Sequence, residues 1–406
     1  MATQLLIMGA SVRAAAQAAV RAGLQVVGSD LFGDEDLVSV GPHWKIKRYP
    51  GEFLRVISNL QGLPWMYTGG LENYPALVDR FASHGKLWGN GGNTLRQVRD
   101  PQTLAQVVHA VASKLEAPLR FPQTLATTLL PVAPQGDGVW LYKPKRGSGG
   151  LAVRSADKMA KYPRQGFWQR KITGIPHSVS FLSAGGSCLV LGTSRQYCVQ
   201  DLAGHSSAAQ KTPFAYAGSI GPLPMTEEEA DWLIELGEQL TRQTGLVGLW
   251  GADFIVDGDG AWWLLEVNPR YTASMEVLEE SLSVPLLYWQ QMAAENAWLP
   301  DVPKNALLAP QRRTVAKGVV YASQSFTVSE LFLTRVKSLS KGQLPAGIVY
   351  EWPTLADVPH AGQFIPGGAP VCSIYAREHT AEAADLKLRA MLGRVQAYCD
   401  EQATNP

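Results

Sequence analysis

The stretch GADFIVDGDGAWWLLEVNPR, residues 251–270, sets three oxygen-bearing side chains, Asp253, Glu266 and Asn268, on two apolar runs. Asp257-Gly258-Asp259-Gly260 separates the runs and reads as the turn of an antiparallel hairpin. Glu266 and Asn268 are two residues apart, so on a strand they share a face. Asp253 precedes Glu266 by 13 residues and falls opposite the pair once the hairpin closes. The neighbours FIV and WWLLEV predict buried strands. An unpaired carboxylate in such surroundings costs on the order of several kcal/mol, which a bound cation would offset. Three hard oxygen donors on one face suit Mg²⁺, which keeps waters and takes phosphate oxygens of a substrate. Arg270, two residues beyond Asn268, returns to that face and suits a phosphate or carboxylate.

Upstream, VWLYKPKRGSGGLAV (139–153) reads as strand, Lys-Pro, Gly-rich loop, strand. Lys143 ends the first strand, and Gly147, Ser148, Gly149 and Gly150 form a loop of little bulk. Such glycines allow positive φ and expose backbone N–H groups, as a phosphate nest requires. Lys145 and Arg146 add positive charge. A P-loop would instead lead into a helix through GxxxxGK[ST]. On this stretch alone, a phosphate-covering flap and an ordinary solvated hairpin fit equally well.

The N-terminus reads QLLIMG, an Ala-rich helix stopping at Gly23, then LQVVGSD. This is a βαβ unit with a right-handed parallel crossover. Gly9 and Asp30 suit a dinucleotide site, but the turn lacks the second and third glycines of that fingerprint. A structural Rossmann-like domain without nicotinamide is therefore expected. A nicotinamide-dependent oxidoreductase is the weaker alternative. Gly69-Gly70 followed by Leu71-Glu72-Asn73 ends another strand. It fits a ligand loop and, equally, a cap by Asn73 before Pro75. Helices are expected from Pro101 with Asp100 as N-cap, from the acids after Thr226 to Gly245, and across 274–298 with a break at Pro285. RRTVAKGVVYA and AGIVYEWP read as strands, and an amphipathic helix closes the chain.

The 406 residues are too many for one ordinary core. A charged fraction of 17% and a net charge of +1 fit a compact enzyme and argue against nucleic acid as a partner. Cys188, Cys198, Cys372 and Cys399 include no CxxC pair and read as reduced thiols of a cytoplasmic protein. The start of the chain lacks the basic region of a signal peptide, and no run of about 18 apolar residues predicts a membrane span.

A Lys-bearing strand, a Gly-rich flap and then Asp…Glu-x-Asn-Pro-Arg resembles the ATP-grasp superfamily of carboxylate–amine ligases over roughly residues 100–300. The resemblance implies an α/β ATP-grasp fold with an N-terminal Rossmann-like domain (1–98), a nucleotide-binding domain (99–302) and a small C-terminal α+β closing domain (303–406). It also implies ATP and Mg²⁺ as cofactors, with adenine near Gln169, Arg170, Lys171 and Ile172. Lys143 would contact the α/β-phosphates, and the Gly147–Gly150 flap would cover them. Asp253, Glu266 and Asn268 would bind two Mg²⁺, with Arg270 near the transferred phosphoryl group. Lys211, in GHSSAAQKTPFAYAGSIGP, is a second candidate for stabilising that charge and sits in an expected loop over the site. Two positions depart from the pattern. Pro176 and His177 stand where many members carry a ribose-binding Glu, and Arg99 stands for the first lysine. The chain is similar to members associated with one-carbon cofactor pathways in methylotrophs, for which tyramine–glutamate ligation is one implied reaction. Partners would be a small carboxylate and an amine, with a homodimer as the implied assembly. The alternative is a nucleotide-binding regulatory protein that keeps the fold without ligation.

Overall fold

The computed structural model describes residues 3–127, 138–159, 165–202, 212–302, 313–339, 352 and 354–404. At the N-terminus, three parallel strands lie in the order Gln25–Ser29, Gln4–Met8, Trp65–Tyr67. Helix Arg13–Arg21 joins the first two, as the βαβ reading predicts, and Gly23 at φ +81° follows it. Asp30 is fully buried and spent on its own loops. Its oxygens accept from the backbone N–H groups of Val12, Phe32 and Gly33, and His43 Nε2 lies 3.0 Å away. A Cβ on Gly9 would stand 1.9 Å from Thr68 Oγ1. Both residues named by the dinucleotide reading thus serve packing and loop closure.

The largest sheet has nine strands and carries the two apolar runs of the opening stretch. Its order is Leu355–Ala356, Pro370–Glu378, Thr314–Tyr321, Tyr216–Gly221, Ser187–Cys198, Ile175–Ala184, Gly248–Val256, Trp262–Asn268, Leu119–Arg120. Helices Pro101–Leu115 and Glu227–Thr244 pack on one side, where Val107, Leu236, Phe181, Trp250 and Leu264 share a core. Both start as their sequences predict. Asp100 accepts from Gln102 N–H, and Thr226 and Glu229 form a reciprocal capping box. Pro285 divides the 274–298 segment into helices Ala273–Leu282 and Leu286–Asn296. These wedge between the large sheet and the N-terminal unit, joining Met275 and Leu286 to Ala15 and Leu249 in a second core.

The strands Thr314–Tyr321 and Pro370–Glu378 continue the large sheet through Tyr216–Gly221, and helix Ala381–Thr404 covers them. The expected strand AGIVYEWP (346–353) lies almost wholly outside the described residues. A separate antiparallel sheet, in the order Thr124–Ala126, Gly166–Arg170, Trp140–Pro144, Arg154–Ser155, carries the Gly-rich flap. No helix among the described residues is long and apolar enough to cross a membrane.

Candidate active site

The strands Gly248–Val256 and Trp262–Asn268 pair antiparallel, with Asp253 opposite Glu266 and Gly251 opposite Asn268. Phe254 pairs with Leu264, so Leu265 is left over as the extra residue of a β-bulge. The bulge resets the side-chain alternation. Trp262 and Leu264 face the core, whereas Leu265, Glu266 and Asn268 face a cleft. This corrects the expectation of carboxylates buried among apolar side chains: Glu266 is exposed, and Asp253 and Asn268 are half-buried. Period-two reading puts Glu266 on the face of Leu264, and only the bulge separates them.

The cleft has a volume of about 1370 Å³, more than the roughly 300–1,000 Å³ of a pocket for one small molecule. On its wall, Asp253 Oδ1 accepts from Gln196 Nε2 (2.9 Å) and Oδ2 from Asn268 Nδ2 (2.8 Å). Asn268 Oδ1 accepts from the Arg270 guanidinium (3.1 Å). Burial, and then the neighbouring Glu266, push the Asp253 carboxyl up to about 7, against the opposing effect of Ser178, Arg270 and Gln196. Burial lowers the Lys143 ammonium from its usual value, and Glu266 and Asp253 oppose that shift. Two carboxylates and an amide oxygen face Lys143, while the Arg270 charge is already paired with Glu72, so this hard-oxygen set has capacity for more positive charge. That donor chemistry fits Mg²⁺.

The flap closes over the same wall. Gly149 and Gly150 adopt φ +59° and +71°, and Gly149 C=O accepts from Tyr216 N–H (3.0 Å). A Cβ on Gly150 would lie 1.9 Å from the Phe214 carbonyl oxygen. Gly147 N–H donates to Asn73 Oδ1 (3.1 Å), and Ser148 Oγ and the Arg270 guanidinium both border Gly69. The polar loop after Gly69-Gly70 is therefore part of the site. Asn73 makes no cap to helix Pro75–Phe81, whose N-cap is Tyr74. Glu72, 1% exposed, receives the Arg270 guanidinium at 2.9 Å.

Gln169, Arg170, Lys171 and Ile172 line the other end of the cleft, with the Gln169 side chain buried and donating to Thr124 Oγ1 (3.3 Å). Pro176 also lines it, whereas the His177 ring packs on Trp262 at 5.2 Å. Arg99 borders the cleft and donates to the Lys145 carbonyl at the foot of the flap. Lys145 and Arg146 are exposed, and Arg146 lies over the Tyr74 ring. Lys211 falls outside the described residues. The cleft thus gathers Lys143, the flap, the Gln169–Ile172 segment, Asp253, Glu266, Asn268 and Arg270 from four separate stretches of chain.

Beyond the sequence candidates, the structure adds a buried charged cluster at the inner end of the cleft. Glu276 binds Arg13 and accepts from Lys317 Nζ (2.9 Å) and Tyr375 Oη (2.5 Å). Arg13 also donates to both oxygens of Asp357, at 2.9 and 3.1 Å. Glu276, Glu279 and Glu280 share one helix face in SMEVLEESL. Three acids at that spacing among apolar residues were the available signal, although their partners lie some 40 to 260 positions away in sequence.

Residues 109–274 match the family model of an ATP-grasp domain. The carbamoyl phosphate synthase large chain of Caldanaerobacter subterraneus subsp. tengcongensis is 25% identical over 163 residues, 40% of this chain and 15% of that protein. The match therefore spans a small part of that relative's length. Among solved structures, the biotin carboxylase domain of Hydrogenobacter thermophilus 2-oxoglutarate carboxylase, in complex with MgADP, ADP and bicarbonate, is similar with a TM-score of 0.66. Identity is 13%, with 96% of this chain and 89% of that one covered. The L-amino acid ligase of Bacillus licheniformis gives a TM-score of 0.65 and 15% identity, with 96% of each chain covered. At this identity the likeness is one of fold, and the fold is that of ATP-grasp.

Proposed function

We propose that this ATP-grasp protein is an ATP- and Mg²⁺-dependent ligase that joins a carboxylate to an amine through an acyl phosphate. The observation that carries the reading is the cleft in which the wall bearing Asp253, Glu266, Asn268 and Arg270 faces Lys143 and a glycine flap. In this reading residues 99–302 are the nucleotide-binding unit, flanked by a Rossmann-like unit and a C-terminal closing unit.

Asp253, Glu266 and Asn268 would hold Mg²⁺, which when bound neutralises phosphate charge. The Gly147–Gly150 backbone would cover the phosphates, and Lys143 would hold their oxygens. Gln169–Ile172 would border the adenine. Arg270, fixed by Glu72 on one side and Asn268 on the other, would face the transferred group. A carboxylate oxygen attacks the γ-phosphorus and ADP leaves. The amine nitrogen then attacks the acyl carbon, phosphate leaves, and the nitrogen releases its proton. Positioning and charge neutralisation supply the rate. Lys211 remains a candidate for the same charge. A small carboxylate and an amine, of which glutamate and tyramine are one pair, would be the substrates.

Two substitutions separate the parts. Gly150→Ala forces a side chain into a left-handed backbone against the Phe214 carbonyl. It is expected to raise KM for ATP on the order of tenfold. Glu72→Gln frees Arg270 without touching the flap and should lower kcat roughly 10- to 100-fold with KM for ATP little changed. Steady-state kinetics check both. The reading as a whole is tested with ATP, Mg²⁺, hydroxylamine and a panel of carboxylates. Carboxylate-dependent ADP and hydroxamate are expected. ATP binding without turnover across the panel would favour the regulatory alternative.

A further inference from the structure

Beside Glu276, four aspartates lie at or just behind the inner end of the cleft, and three of them are spent. Asp30 accepts from three backbone N–H groups. Asp36 accepts from the N–H groups of Asp357 and Val358, and Asp357 holds Arg13 and Ser373. Asp34 is different. It is 5% exposed and lines the cleft, and among the described residues its carboxylate has no hydrogen-bond or ion-pair partner. The nearby cations are already engaged. Arg13 is held by Glu276 and Asp357, and Lys317 by Glu276. Phe32 lines the cleft two residues before Asp34 and adds an aromatic side to this end.

The place is joined to the reacting end by short steps. Arg270 borders Gly69, Gly69 C=O accepts from Ala10 N–H, and Ala10 C=O accepts from Leu31 N–H, three residues before Asp34. The far side is closed by the C-terminal segment, where Glu35 N–H donates to the Val358 carbonyl and His360 Nε2 lies 2.7 Å from the Gly33 carbonyl.

We propose that Asp34, with Asp357 behind it, is the subsite for an ammonium group that one substrate carries in addition to its reacting group. An ammonium brings the donors and the charge that this carboxylate lacks. Burial and the neighbouring Asp357, Asp30 and Asp36 push Asp34 up to about 9, against Arg13. A cation arriving there restores the ionised carboxylate. The substrate is accordingly an amino acid, if the ammonium belongs to the carboxylate partner, or a diamine, if it belongs to the amine partner. This deepens the ligase reading and names its substrate class.

The test is calorimetric titration of the full chain with MgADP present, using two matched pairs: glutamate against glutarate, and putrescine against butylamine. In one pair the member with the additional ammonium should bind at least tenfold tighter. Asp34→Asn should abolish that preference while leaving MgADP binding unchanged. Because the Asp34 side chain makes no hydrogen bond, the variant should fold. Asp34→Ser provides a second uncharged variant. Absence of a preference in both pairs, or a preference that survives in both variants, overturns the proposal. A preference that depends on Asp34, with no ADP formed when the preferred probe is supplied with ATP, Mg²⁺ and the reactant it lacks (hydroxylamine for glutamate, the panel of carboxylates for putrescine), supports the subsite and rejects ligation.

Discussion

Glu266→Gln is expected to lower carboxylate-dependent ADP formation by roughly 10³-fold or more, because it removes a charged oxygen from the wall that would hold Mg²⁺. Glu266 is exposed on the cleft face of its strand, so the substitution leaves the Trp262 and Leu264 core intact. Unfolding should therefore occur within about 0.5 kcal/mol of the wild type, as for surface substitutions elsewhere. Activity and stability measured on one preparation separate the two effects. A variant that turns over normally would remove Glu266 from the site. Asp253→Asn should lose activity similarly, but its two hydrogen bonds to Gln196 and Asn268 make the structural consequence larger.

Glu276→Gln is expected to destabilise the fold by about 3–5 kcal/mol, since it leaves Arg13 and Lys317 in the interior without their shared counter-charge. Glu276 is buried beneath three parts of the chain: Arg13 from the N-terminal unit, Lys317 from the large sheet, and Tyr375 from the C-terminal strands. Burial raises its carboxyl, but Arg13 and Lys317 more than offset this and hold it well below the usual range. A depressed carboxyl stabilises the fold above its unfolded value near 4.5 and loses that contribution as pH falls through the folded value. The deficit of Glu276→Gln should thus be full at pH 7 and narrow in acid. Asp34 has the opposite sign. Its raised carboxyl costs stability increasingly as pH rises from about 4 towards about 9, so Asp34→Asn should gain stability at pH 8. Urea unfolding at pH 3, 5, 7 and 8 reads both trends, the first below the unfolded value of Glu276 and the last within the range of Asp34.

Local signals carried much of the architecture. The Asp100-Pro101 start, the Thr226–Glu229 capping box and the Pro285 break are set by adjacent residues, and each appears where its chemistry requires. The spacing of Glu266 and Asn268 likewise brings them to one face. Two kinds of information lie beyond local reading. The bulge at Leu265 is a pairing event with a distant strand, so alternation alone misassigns the face of Glu266. The inner cluster depends on partners such as Arg13 and Asp357, 344 positions apart, and neither residue is unusual in its own segment. Asn73 shows the intermediate case. Its neighbourhood fits a helix cap, but the flap reaches it first and takes its side-chain oxygen for Gly147.

The central claim is that the cleft makes an acyl phosphate, and oxygen transfer tests it most directly. With ¹⁸O in the carboxylate of an accepted substrate, turnover with ATP, Mg²⁺ and the amine should place one ¹⁸O atom in each inorganic phosphate released, read by mass spectrometry or ³¹P NMR. Phosphate that carries no label from the carboxylate would contradict the account.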